Sequence, residues 1–168
     1  MLKLENTVLR APRDSDMEVL LAMRNDVELQ LQLAARPRPN SEERVREWIH
    51  KHSSDPNTLF YIVAEEAGAA CGYIQLTEMD SIDGTGRLGV CIARAAQSTG
   101  HATRAIALLE DYAHAILGLR KIVLSVLSSN SGAIKLYRKI GYLDVGVHRE
   151  HHYARGAYHD MLLMEKLL

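Results

Sequence analysis

One short polar turn, Gln97-Ser98-Thr99-Gly100-His101-Ala102, restricts what this chain can fold into more than any other segment, because it joins a strand-like run to a long amphipathic helix. Upstream lies the apolar run Leu88-Gly89-Val90-Cys91-Ile92-Ala93. Downstream, between His101 and Leu117, Ala102, Ile106, Leu109, Ala113 and Ile116 recur at helical spacing. A strand that passes directly into a helix leaves the first helical N–H groups without partners, at the positive end of the helix dipole, and such a terminus favours an anion. Gly100 lets a pyrophosphate approach the backbone with no Cβ in the way. The turn therefore predicts a cradle for a phosphate-bearing cofactor.

A second strand-to-helix unit follows. Lys121 to Leu127 is apolar, Ser128-Ser129-Asn130 breaks it, and Ser131-Gly132-Ala133-Ile134-Lys135-Leu136-Tyr137-Arg138-Lys139-Ile140-Gly141-Tyr142 continues as a helix and turn. Taken together, Q-x-x-G-x-A at 97–102 and N-x-x-A-x-x-L-Y-x-x-x-G-Y at 130–142 resemble the two signature segments of the GNAT superfamily of acyl-CoA-dependent N-acetyltransferases, in the family's order. The resemblance implies an α/β fold in which a mixed, mostly antiparallel, splayed β-sheet is flanked by helices. It also implies acetyl-CoA as donor and a primary amine as acceptor.

The site residues follow from the same resemblance. The backbone at Cys91, Ile92 and Ala93 is expected to lie against the pantetheine arm, with the Ile92 N–H stabilising the charge that develops on the thioester oxygen. Gln97, Ser98, Thr99, Gly100, His101 and Ala102 are expected to hold the pyrophosphate, and Asn130 to reach the pantetheine. Tyr137, seven positions after Asn130, takes the role of general acid towards the departing thiolate. Read from spacing alone, Tyr137 also fits a core stripe with Ala133, Leu136 and Ile140, and Asn130 fits a plain helix N-cap.

No acceptor base is evident. Several relatives carry a glutamate five residues before the asparagine, and Ser125 stands there in this chain. Glu78, Asp80, His148, Glu150 and His152 are candidates, each equally readable as a solvated surface group. A water relay, or an amine that arrives unprotonated, is the alternative. For the acceptor, Arg24-Asn25, the segment Glu43 to Lys51 with Trp48, the strand Leu59 to Val63 and the Gly89-Val90 region are similar to amino-sugar N-acetyltransferases of the pseudaminic acid pathway. The segment Arg155-Gly156 through Tyr158-His159-Asp160 resembles enzymes acting on protein N-termini, ribosomal proteins among them, and on polyamines. The leading expectation is a nucleotide-linked amino sugar or other small molecule. A protein N-terminus, a polyamine, or a non-catalytic acyl-CoA sensor are the alternatives.

Composition limits the partners. With 168 residues, 47% of them hydrophobic, and no Pro-, Gly- or Ser-rich linker, residues 1–168 are expected to form one domain. Twenty basic against twenty-one acidic residues leave no global charge to attract nucleic acid or an anionic membrane. Cys71 and Cys91 lie in apolar stretches outside metal or disulfide spacing, which together with the absence of a signal-like start predicts a cytoplasmic protein. No metal is expected. His148, His151, His152 and His159 are the obvious suspects, but strand alternation sends His151 to the face opposite His148 and His152. A homodimer is compatible with the family's habit of pairing through sheets.

The remaining elements are predicted from periodicity and caps. Leu2 to Leu9 is one edge strand, Asp14-Ser15-Asp16 starts a helix reaching about Leu33, and Ser41 caps another to about His52. Strands are expected at Thr58–Glu65, Ala70–Glu78 and Gly86–Ala93, and a late hairpin at Leu143–Tyr153 and Tyr158–Leu167.

Overall fold

The computed structural model describes residues 1–168. Eight strands form one sheet in the order β1-β2-β3-β4-β5-β6-β8-β7. They span Leu2–Leu4, Thr7–Arg10, Leu59–Glu65, Ala70–Asp80, Thr85–Ile92, Lys121–Leu127, Leu143–Ala154 and Ala157–Leu167, numbered in chain order. Five helices accompany them: α1 Met17–Asn25, α2 Val27–Gln32, α3 Glu42–Ser54, α4 His101–Ala115 and α5 Ser131–Lys139. Every neighbouring pair is antiparallel except β5 and β6, so the mostly antiparallel α/β architecture expected from the sequence is present.

Two of the expected elements break. The first strand is interrupted at Glu5-Asn6, where Glu5 adopts φ 51, and β1 folds back on β2 as a hairpin pairing Leu4 with Thr7. The first helix is cut at Asp26, which is extended (φ −76, ψ 100) and accepts a hydrogen bond from the Leu29 N–H at 3.0 Å. A short polar side chain that bonds its own downstream backbone starts a new helix more readily than it continues an old one. Ser41 caps α3 as expected, accepting from the Arg44 N–H at 3.3 Å.

Helices cover both faces. On one, Ala105, Ile106, Leu109 and Ala113 of α4 and Ile134 and Tyr137 of α5 pack on Leu9, Val63, Ile74, Leu76 and Leu124. On the other, Met17, Leu20 and Met23 of α1 and Val45 of α3 pack on Phe60, Ile62, Ala64, Tyr73 and Cys91. Trp48 anchors the second layer, edge-on to both Phe60 and Tyr73 at centroid separations of 5.0 Å.

At the entrance to α1 a buried ion pair joins strand to helix. Arg10 grips Asp16 with two hydrogen bonds of 2.8 and 2.7 Å, and the Arg13 N–H adds a third at 2.8 Å. Burial alone would raise the Asp16 pKa, but the bonds from Arg10 and Arg13 and the guanidinium charge outweigh it, so the carboxyl sits below its usual value of 3.8. A depressed carboxyl pKa contributes stability that is complete above the unfolded value and is lost as pH falls through the folded one. Asp16→Asn is therefore expected to destabilise by about 2 kcal/mol at neutral pH, because Arg10 loses its counter-charge while the amide oxygen still accepts. The gap to the parent should narrow as pH falls below the usual carboxylate range and the parent's Asp16 takes up its proton; urea unfolding at neutral and at acid pH checks this.

Candidate functional site

The parallel pairing of β5 with β6 is brief. Thr85, Gly86 and Arg87 meet Lys121, Ile122 and Val123, and beyond them the strands part. The sheet does not close again on that side, because β5 stays with β4 and β6 stays with β8. The result is a wedge with exposed backbone edges. Ala93 turns its N–H to β4, donating to the Cys71 carbonyl at 2.7 Å, so strand alternation turns the amide groups of Ile92 and Val90 into the wedge. On the facing side, Ser128 donates to Asp160 of the β8 side at 3.0 Å, which by the same alternation turns the amides of Ser125 and Leu127 inward.

The wedge opens into a cavity of about 640 Å³. It is walled by Leu88 to Ile92 of β5, Ser125 to Leu127 of β6, the Gln97–Thr103 region, the α5 residues Ala133, Leu136 and Tyr137, and the end of α2. Of the residues expected at the site, Cys91, Ile92, Gln97, Ser98, Gly100, His101, Ala102, Asn130 and Tyr137 line this one cavity. Ala93 and Thr99 do not. The Ala93 N–H is bonded to the Cys71 carbonyl and its own carbonyl accepts from the Ala96 N–H, so both groups are engaged within the protein. Thr99 gives its carbonyl to Arg104 Nη2 at 2.8 Å and its hydroxyl to the Ala96 carbonyl at 2.6 Å, and it braces the turn from outside.

The turn fits a pyrophosphate. Gly100 is the N-cap of α4 with φ 86, a conformation that side chains rarely adopt, and the amides at the start of α4 have no intrahelical acceptors. Gln97 is held in place by its Nε2 donating to the Ile92 carbonyl at 3.1 Å. Arg104, one turn into α4, folds back against Gly100 and the Thr99 carbonyl and is paired with Glu5 at 3.3 Å, so it fixes the turn from outside the cavity. Its sequence signal was a basic residue in the first turn of the helix. His101 lines the cavity wall while its ring is buried and bonded to the Thr7 hydroxyl at 2.8 Å.

Tyr137 is buried among the α5-side residues, its ring 5.6 Å from that of Tyr142, with its hydroxyl making no hydrogen bond within the protein. Burial, and then the neighbouring Cys91 thiol, push its pKa up to about 12, so it carries its proton at neutral pH. The Cys91 thiol is likewise pushed up to about 12 by burial and stays neutral. Asn130 caps α5, accepting from the Ala133 N–H at 3.2 Å, and reaches Gln32 of α2 at 3.4 Å. Cap and wall contact thus coexist in one side chain.

None of the candidate bases reaches the cavity. Glu78 is paired with Arg87 at 2.9 Å and Asp80 caps its own turn, both at the closed end of the wedge. His148, Glu150 and His152 lie on the outermost strand. There the expected alternation fails, because Glu150 adopts φ 49 in a bulge and brings His148 and His151 together, their rings 4.8 Å apart. The cavity wall contains no carboxylate. Sequence reasoning missed the contribution of α2, whose Leu29 and Gln32, with Leu33 and Ala34 just beyond its end, form the remaining wall. That short helix is clasped from both sides, by Arg94 on Asp26 and by Arg155 on Glu28.

Comparison with known proteins accords with this geometry. The family model described as the acetyltransferase (GNAT) domain matches residues 6–143. Spermidine N(1)-acetyltransferase of Vibrio cholerae is 27% identical over 93% of this chain and 90% of its own length. The enzyme of the same name from Escherichia coli K12 is 31% identical over 68% of this chain and 61% of its own. Among solved structures, spermidine N-acetyltransferase from Vibrio cholerae in complex with CoA and spermine superposes with a TM-score of 0.89 at 26% identity, covering 96% of this chain and 95% of the other.

Proposed function

The chain belongs to the GNAT acetyltransferase family and is an acetyl-CoA-dependent N-acetyltransferase, and from that premise we propose that its acceptor is a polyamine of the spermidine class. One observation carries the reading: similarity to a spermidine N(1)-acetyltransferase runs over 93% of the chain rather than over the cofactor segments alone. The nucleotide-linked amino sugar that leads the sequence reading finds no support among these relatives, and the polyamine alternative takes its place.

The donor half of the site is built largely from backbone. Bound acetyl-CoA supplies an activated acetyl thioester. The α4 N-terminus and the Gly100 turn receive its pyrophosphate, while the inward amides of Val90 and Ile92 on one strand and Ser125 and Leu127 on the other offer strand-like hydrogen bonds to its pantetheine arm. The Ile92 N–H is the donor we assign to the carbonyl oxygen as negative charge develops on it during amine attack.

Tyr137 delivers a proton to the departing sulfur. A pKa near 12 against ~8.5 for an ordinary thiol makes a free tyrosinate about 5 kcal/mol costly, so the hydroxyl must recover a proton as it gives one. The attacking amine supplies it, since forming the amide N–C bond releases one proton and breaking the C–S bond consumes one. With no carboxylate in the cavity wall, the amine is taken up unprotonated or loses its proton through water. At the start of α2, Asp26 and Glu28 hold exposed arginine partners, and such pairs exchange readily with an incoming ammonium group.

The two free, buried cysteines suit a reducing compartment, and we read the protein as cytoplasmic. The outer strand β7, with Leu143 and Val145 exposed, suits pairing with a second copy.

The experiment is release of CoA thiol from acetyl-CoA with spermidine, spermine, a nucleotide-linked 4-amino sugar or an N-terminal peptide as acceptor, with product mass identifying the acetylated species. Polyamines are expected to give the highest kcat/KM. Turnover confined to the sugar or the peptide would overturn the polyamine assignment while leaving the acetyltransferase chemistry intact.

A further inference from the structure

Outside the wedge, three side chains from three elements converge. Glu65 ends β3, Cys71 lies at the start of β4, and His101 opens α4. A carboxylate oxygen, the thiol sulfur and a ring nitrogen from these residues all lie within 4.8 Å of one another. Cys71 and His101 are buried, 3% and 2% exposed, whereas Glu65 faces solvent. The imidazole is held by a chain of hydrogen bonds: the Thr7 hydroxyl lies 2.8 Å from Nδ1 and itself accepts from Arg104 Nε at 2.8 Å. Metal-ligating histidines are commonly oriented by such an outer partner. None of this is visible in linear spacing, which sets Cys71 apart from any metal pattern, and acetyl transfer as described above uses neither Glu65 nor Cys71.

We propose that Glu65, Cys71 and His101 form a zinc site. A mixed set of one thiolate, one imidazole and one carboxylate is the chemistry that borderline-soft Zn²⁺ selects over Mg²⁺ or Ca²⁺, which take oxygen ligands. Ligand bonds of about 2.0–2.3 Å place tetrahedral donors roughly 3.3–3.8 Å apart, so the cluster must tighten by about 1 Å. The solvent-facing Glu65 side chain can supply that movement. On binding, the Cys71 S–H bond breaks, its proton goes to solvent and the sulfur lone pair forms the S–Zn bond, while water completes the tetrahedron on the Glu65 side. The ion joins the hairpin between β3 and β4 to the first residue of α4, so it steadies the helix terminus that cradles the phosphates. The site is independent of which amine the enzyme accepts.

The test is equilibrium dialysis of the purified full chain against Zn²⁺ with metal content measured per chain, and Co²⁺ loading to reveal a thiolate-to-cobalt charge-transfer band in the near ultraviolet. Expected are one ion per chain, loss of the band in Cys71→Ser, and affinity weakened by about tenfold or more in both Cys71→Ser and Glu65→Gln. The exposed Glu65→Gln substitution leaves the core intact, and Cys71→Ser is nearly isosteric; circular dichroism confirms folding. A substoichiometric ion content, a band that survives Cys71→Ser, affinity unchanged in Glu65→Gln, or zinc lost in His151→Ala instead would each overturn the assignment.

Discussion

Replacing Tyr137 by Phe is expected to lower kcat about 10²-fold while leaving the KM for acetyl-CoA within about twofold of the parent. The separation of the two parameters follows from where the hydroxyl sits. The ring packs in the core against Tyr142, 5.6 Å away, and Phe keeps that contact, so the cavity wall retains its shape. The hydroxyl bonds nothing within the protein, so its removal orphans no partner and the fold should melt unchanged. What disappears is the one protonated oxygen-bearing side chain on the α5 wall that can meet the leaving sulfur. Stopped-flow thiol release in single-turnover conditions separates this loss from product release, and an unchanged chemical step would remove Tyr137 from the mechanism.

Gly72→Ala should be the most damaging single methyl in the molecule. A Cβ at this position would lie 2.1 Å from the Cys91 carbonyl oxygen and 2.9 Å from the Ile92 Cα, both backbone atoms of the neighbouring strand. A flexible side chain could swing aside, but a strand bonded along its length cannot. Either β5 shifts away from β4 or the pairing fails locally. We expect a loss of about 4 kcal/mol, at the upper end of what overpacking and backbone displacement cost. In a chain of this size that corresponds to a Tm lower by about 8–16 °C. Thermal unfolding followed by circular dichroism checks it. Because the displaced strand carries the Ile92 amide, residual folded protein should also bind CoA weakly; near-normal stability would mean the two strands are less closely apposed than described.

Much of the donor side was legible in the sequence, because it depends on local grammar. A strand, a Gly at a left-handed position and an amphipathic helix leave marks within a dozen neighbouring residues, and so does the cap at Asn130. What stayed hidden depends on contacts between distant segments or on single-residue kinks. The pair Asn25-Asp26 has the chemistry of a cap, but the apolar spacing runs on past it from Leu21 to Leu29, and the bond from the Leu29 N–H is what makes Asp26 the start of a new helix. Glu150 in its bulge reverses the side on which His151 lies, and no periodicity announces a left-handed glutamate. The meeting of Glu65, Cys71 and His101 likewise exists only once β3, β4 and α4 are stacked.

The short zipper of three residue pairs between β5 and β6 has an implication for how such an enzyme changes over time. Beyond those pairs, one partner's grip relies on main-chain groups that every amino acid possesses, so replacing the side chains around it leaves that grip largely in place. On the proposed reading the other partner meets α2, six residues long, which is anchored by the buried Leu29 and Gln30 but clasped at its rim by surface arginines. If the acceptor is chosen there, the reagent is held largely by groups that side-chain replacement leaves in place and the target by exposed pairs that replacement alters readily, so a new target can be acquired without rebuilding the machine.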